Sequence, residues 1–222
     1  MRPFYWLARG LLAVFYRVCS RYEVVGAENL PPGGPLILAM NHIHMLDAPA
    51  VMVAMPWQVS LFAARKWASR PLGVLLRAAG AWFINRGEVD RRALRKALGV
   101  LRRGGVFGIA PEGTRSPTRQ LQAARGGVAY LAYLSGAPIL PVAVTGVEHV
   151  FPSLLRLRRA RVRVAVGRPF KLPPLDHKPR SEELLELADD VMLRLAELLP
   201  PEYRGVYGGG TRLLERTPAP QG

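Results

Sequence analysis

The chain has one cysteine, Cys19, in 222 residues. No internal disulfide can form, and a lone thiol lacks the partners of a zinc site, which suits a reducing compartment. Four histidines are scattered along the chain and make no metal cluster. No Gly-Lys-Ser/Thr triplet is present, so there is no P-loop. No G-x-S-x-G elbow is present either, which argues against an acyl-enzyme on serine. No apolar run reaches the roughly 20 residues that span a bilayer. Acidic residues are scarce, 16 against 31 lysines and arginines, for a formal charge of +15 and a pI of about 11.1. Such a chain is drawn to polyanions, either nucleic acid or an anionic membrane surface. No nucleic-acid module signature accompanies the charge, so nucleic acid is not expected as a partner.

Apolar residues make up half of the chain, enough for the core of one domain. Residues 1–20 carry Phe4, Tyr5, Trp6, Leu7, Leu11, Leu12, Val14, Phe15 and Tyr16. On a helix Arg2, Arg9 and Arg17 fall within about a quarter of the circumference. A broad aromatic and aliphatic face with a narrow basic stripe lies in a membrane interface. The same pattern also suits a helix packed on its own domain. Arg9 splits the apolar stretch and no small-x-small site follows, which argues against a signal peptide.

Beyond residue 20 strand and helix alternate. Strands are expected at 22–25, 36–40, 59–63, 81–85, 106–110, 139–145 and 162–166, and helices at 48–55, 71–78, 90–103, 126–135 and 182–199. Gly104 and Gly105 stop the third of these helices, and Ser181 is a candidate N-cap for the last. Continuous apolar strands between helices predict an α/β domain over 21–200, with a mixed, mostly parallel sheet flanked by helices. Residues 201–222, with Gly208 to Gly210 and Pro218-Ala-Pro220, read as a flexible tail.

Two stretches carry chemistry. In P-L-I-L-A-M-N-H-I-H-M-L-D, His42 and Asp47 follow a strand, and Pro49 suits a helix's first turn. A base at a strand's end with an acid at the next helix's start suits removal of a hydroxyl proton. His44 competes with His42 for Asp47. Alternatively, Asp47 caps the helix and both histidines are solvated. The second stretch is Pro111-Glu-Gly-Thr-Arg-Ser116, after the apolar run 106–110. Its glycine permits a sharp turn, and its arginine offers a fork that grips phosphate bidentately. Arg65 and Lys66, and then Arg86, follow two further strands. Ligands of open α/β sheets sit beyond the strands' carboxyl ends, so a base, an acid and several cations converge there if those strands are parallel.

Taken together, H-x-x-x-x-D at His42 to Asp47 and E-G-T-R at Glu112 to Arg115 resemble the glycerolipid acyltransferase family, most closely its 1-acylglycerol-3-phosphate acyltransferases. Gly80-Ala-Trp-Phe-Ile-Asn-Arg86 is similar to the family's G-x-x-F-I-x-R block, and the strand around Pro141 to its fourth block. The resemblance spans about residues 20 to 170. It selects His42 over His44. It implies transfer of a fatty acyl group from acyl-CoA or acyl-ACP to a lysophospholipid hydroxyl, without an acyl-enzyme, metal or other cofactor. His42 is then the base and Asp47 its orienting partner. Arg86, Glu112, Gly113, Thr114 and Arg115 form the phosphate pocket, with Lys66 and Arg125 as further candidates. A peripheral position on the cytoplasmic face of a membrane follows from the lipid substrate. The acceptor could also be a lyso-ornithine lipid or lysophosphatidylglycerol. A non-catalytic membrane- or nucleic-acid-binding module is the other alternative.

Overall fold

The run Leu36–Met40 is buried on both sides. Leu36, Leu38 and Met40 belong to one apolar cluster, and Ile37 and Ala39 to another. Alternate side chains of a strand point to opposite faces, so a strand apolar throughout needs cover on both. A computed structural model describes residues 3–65, 68–69, 73, 76, 81–84 and 91–209. Its strands are β1 (Ser20–Val25), β2 (Leu36–Met40), β3 (Val59–Ala64), β4 (Ala81–Ile84), β5 (Val106–Ile109), β6 (Ile139–Thr145) and β7 (Ala160–Val166). They form one sheet in the order β1-β7-β6-β2-β5-β3-β4. β6 and β7 pair antiparallel, and β1 lies parallel to β7. The other pairings are parallel. Five neighbouring strands therefore end on the same side, as the sequence predicts.

Six helices cover this sheet among the described residues: α1 (Pro3–Cys19), α2 (Asp47–Ala54), α3 (Arg91–Arg102), α4 (Gly127–Ser135), α5 (Val150–Leu154) and α6 (Ser181–Glu197). Residues of α1, α2 and α5 join the first cluster, and those of α3, α4 and α6 the second. The helix expected at 71–78 lies almost wholly outside the described residues. The short α5 has no counterpart in the sequence reading. Ser181 is the first residue of α6 rather than its cap. Glu183 caps that end instead, its carboxylate accepting the Arg180 N–H at 2.7 Å.

Two expectations change at the chain ends. The sequence places Arg2, Arg9 and Arg17 on one interfacial stripe. Arg2 lies outside the described residues, and Arg9 turns inward to donate to the carbonyls of Met52 and Val53 at 3.2 and 3.0 Å. These belong to the last turn of α2, whose carbonyls lack helical partners. Tyr5 and Tyr16 are fully buried. Tyr16 donates to the carbonyl of Leu46 at 2.7 Å, and Tyr5 to that of Trp57 at 3.1 Å. The helix is thus packed on its domain through two tyrosines and an arginine. Phe4, Leu7, Leu11, Val14 and Val18 remain exposed, an apolar stripe at alternating spacings of three and four.

The second change concerns the expected flexible tail. Pro201–Tyr203 and Gly205–Tyr207 form 3-10 turns. Tyr207 is buried and donates to Asp189 at 2.5 Å, and Tyr203 donates to Glu148 at 2.5 Å. Two aromatic side chains with polar partners hold this segment against the sheet, where glycine content suggested none would.

Candidate active site

Asn41 ends β2 in an uncommon way. Its side-chain amide donates to the Val144 carbonyl at 2.8 Å and accepts the Val144 N–H at 2.7 Å. A side chain thus continues the ladder to β6 for one more step, while the backbone leaves the sheet. His42 follows at once. Its N–H is held by Glu112 Oε1 at 3.0 Å, and its carbonyl accepts the Ser116 N–H at 2.8 Å. The other oxygen of Glu112 accepts the backbone N–H and side-chain amide of Gln122 at 3.1 and 3.3 Å. The loop after β5 therefore clamps His42 by its backbone on both sides. Burial raises the Glu112 carboxyl above the usual carboxylate range, opposed by the hydrogen bonds from His42 and Gln122.

Asp47 opens α2, fully buried. Its Oδ2 meets His42 Nδ1 at 2.8 Å and accepts the N–H groups of Ile43 and His44, both at 2.7 Å. The intervening residues wrap around one oxygen. Burial raises the Asp47 carboxyl, and the hydrogen bonds from His42 and His44 pull it back. His44 thus meets Asp47 through its N–H, not its ring. That ring accepts a long bond from the Leu46 N–H at 3.4 Å and lies 6.3 Å from the Phe151 ring. The ring that meets Asp47 is that of His42. The His42 side chain is 15% exposed. With Nδ1 engaged, its Nε2 has no hydrogen-bond partner among the described residues.

His42 lines a cavity of about 590 Å³ between β3 and β5 on one side and α3, α4 and α6 on the other. Its walls are apolar, with Leu61, Phe62, Leu94, Phe107, Leu131 and Leu184. The volume falls within the range of small-molecule sites. Gly113 and Arg125 stand in the same cavity. Gly113 has φ +72°, and a Cβ there would lie 2.7 Å from Arg125 Cδ. The glycine therefore serves both the turn and the close passage of the Arg125 stem. Arg115 and Arg119 are exposed, and both disfavour protonation of His44, whose pKa is lowered first by burial. Thr114 is half-buried, and Arg65 is exposed beyond β3. Lys66 and Arg86 lie outside the described residues.

A sequence model of the Acyltransferase family matches residues 21–145. The chain belongs to the acyltransferase family. A similar protein is the 1-acyl-sn-glycerol-3-phosphate acyltransferase of Bacillus subtilis, 24% identical over 198 residues, covering 87% of this chain and 96% of that one. The bovine 1-acyl-sn-glycerol-3-phosphate acyltransferase alpha is 28% identical over 210 residues, covering 91% of this chain and 71% of its own. The crystal structure of the 1-acyl-sn-glycerophosphate (LPA) acyltransferase PlsC from Thermotoga maritima matches with a TM-score of 0.65 at 24% identity. It covers 86% of this chain and 78% of that chain, and shows that the fold is shared.

In this O-acyltransferase one expectation for the site shifts. Glu112 was expected in a phosphate pocket, but both its oxygens are turned to His42 and Gln122, and a carboxylate would repel phosphate. Its position is that of a bracket. The sequence places Asn41 in the stretch before His42 without a role, and gives none to Ser116 or Gln122. A buried asparagine right after a strand was the one signal present, since such an amide needs partners. Glu112→Ala is expected to lower stability by about 2 kcal/mol, because the His42 N–H and Gln122 lose their acceptor in a buried place. It should also lower turnover through misplacement of His42. Thermal melting with kinetics checks both, and a variant with wild-type melting would show that Glu112 is not a bracket.

Proposed function

We propose that this acyltransferase moves a fatty acyl group from acyl-CoA or acyl-ACP to the free hydroxyl of 1-acylglycerol-3-phosphate, giving phosphatidic acid. The observation that carries the reading is the free Nε2 of an Asp47-bound His42 at an apolar cavity, beside Arg125. Nδ1–H donates to Asp47, so Nε2 holds the lone pair that accepts the hydroxyl proton. The acceptor oxygen then attacks the thioester carbonyl. The tetrahedral adduct collapses, the C–S bond breaks, and the leaving thiolate takes the proton from Nε2. Asp47 steadies the imidazolium between these steps. No metal or other cofactor is called for. The apolar cavity suits an acyl chain, and Arg115 and Arg86 suit the acceptor's phosphate, with Arg125 or Lys66 as a further cation.

Both lipids reside in a bilayer, so the reading includes a peripheral position on the cytoplasmic face. No helix among the described residues is long and apolar enough to cross a membrane. The exposed stripe of α1 supplies an apolar contact instead.

Thiol release from palmitoyl-CoA tests the reading with lysophosphatidate, a lyso-ornithine lipid and lysophosphatidylglycerol as acceptors. Release that depends on lysophosphatidate supports it. Preference for another acceptor overturns the acceptor, and no release with any overturns the donor and acceptor together. Arg115→Ala is expected to raise the acceptor KM about tenfold with little change in kcat. Arg115→Lys should recover only part of this, because a point charge replaces a fork. Full recovery would argue against a bidentate phosphate contact.

A further inference from the structure

The turn between α5 and β7 holds two leucines in water. Leu155 is 89% exposed and Leu157 98%. They alternate with Arg156 and Arg158, all four in sequence order. The turn is ordered by its backbone. Arg158 N–H donates to the Ser153 carbonyl at 2.9 Å and Leu157 N–H to the Leu154 carbonyl at 2.9 Å. This crossed pair is the Schellman ending of a helix, in which the residue at the position of Leu157 is left-handed and usually glycine. Leu157 takes that conformation, with φ +53°. A leucine there is strained by its Cβ and gains no packing from the fold. Its exposure disfavours it in water, and an apolar environment would favour it.

We infer that residues 155–158 insert into a lipid bilayer carrying anionic headgroups, as a second contact beside α1. Three observations fix this partner. First, the arginines that flank the leucines match an anionic headgroup layer above an apolar interior. Second, the turn is latched to the end of α1. Arg159 donates to the carbonyls of Arg17 and Ser20, next to Val18, where the exposed stripe ends. A groove of about 940 Å³ beside it is lined by Arg17, Arg21, Arg159, Arg161 and Arg163, with Glu23 as the acid among them. Third, the turn stands at the right end of the sheet. Thr145 pairs with Arg163, and Met40 with Val142. Because β7 runs against β6, the chain enters β7 at the carboxyl end of β6 and β2, where His42 lies. Phe151, on α5, faces His44. A bilayer that takes up the leucines thus lies at the end of the sheet where the acceptor must arrive.

The inference rests on the reading of this protein as one that works at a bilayer, and its test separates the two. The full chain is sedimented with vesicles of phosphatidylglycerol and phosphatidylcholine. Leu157→Gly should weaken binding about tenfold, and Leu155→Ser with Leu157→Gly about a hundredfold, as buried leucines contribute to partition. Leu157→Gly should at the same time keep or raise the melting temperature, since glycine relieves the left-handed strain. Arg156→Glu with Arg158→Glu should weaken binding to these vesicles more than to phosphatidylcholine alone. Activity on a short-chain, water-soluble acceptor should stay at the wild-type level in all of them. Leu7→Ser with Leu11→Ser on α1 is the companion variant. If it weakens binding and the turn variants do not, the turn is not a lipid contact and the inference fails alone. If the wild type does not sediment with vesicles, the bilayer reading fails with it. If the lipid-free wild type associates and the turn variants are monomeric, the leucines join two copies of the chain, which also overturns the inference.

Discussion

His42→Ala is expected to reduce thiol release by about 10²–10⁴-fold or more, the usual loss with a general base, while the protein stays folded. The structure separates the two tasks of this residue. Its backbone is held by Glu112 and Ser116, contacts that alanine keeps. Its ring lies against Asp47 and lines the cavity. After the substitution Asp47 Oδ2 still accepts from Ile43 and His44. Melting should therefore move little and turnover collapse. His44→Ala should keep most of the activity, because the N–H that meets Asp47 belongs to the backbone. An inactive His44→Ala beside an active His42→Ala would reverse the choice of base.

Asp47→Asn is expected to lower kcat by about 10³–10⁴-fold with little change in acceptor KM, by analogy with an acid that orients a catalytic imidazole. The amide oxygen can still accept the two backbone N–H groups, so the loop keeps its shape. It cannot also hold Nδ1–H with a negative charge. Stability should respond in the opposite sense. Burial raises the folded-state pKa of Asp47 above its ordinary value. A raised carboxyl favours folding fully below its unfolded pKa, and that contribution is lost as pH rises through the folded pKa. The asparagine variant lacks this loss, so its melting temperature at neutral pH should equal or exceed that of the wild type. Kinetics with melting across pH tests both parts. A large rise in KM with unchanged kcat would place Asp47 in acceptor binding.

Opposite effects on rate and stability are expected where a buried acid is kept for its chemistry. Glu112 differs. Both its oxygens are engaged in holding the loop, so its loss should reduce stability and rate together. These two carboxylates look alike in the sequence, each just past an apolar strand. What separates them is the partner. Asp47 meets an imidazole, while Glu112 meets a backbone N–H 70 residues away.

The sequence by itself determined the central strands of the sheet, because a strand covered on both faces is apolar along its length, as Leu36–Met40 and residues 139–144 are. It also placed His42, Asp47 and the E-G-T-R turn after such strands, so that they lie together where the strands are parallel, as β2 and β5 are. Local spacing could not choose between His42 and His44, as both can reach an acid at the next helix's start. The tertiary structure decided that by wrapping the loop so that His44 offers its N–H and His42 its ring. It decided likewise which way Arg9 points, because its acceptors, Met52 and Val53, are more than forty residues distant. It turned residues 201–207 from an expected tail into a packed segment, through Tyr203 and Tyr207. Periodicity reports which residues are apolar and how they repeat. It carries no record of which distant carbonyl or carboxylate a polar side chain will meet, and those meetings set the site.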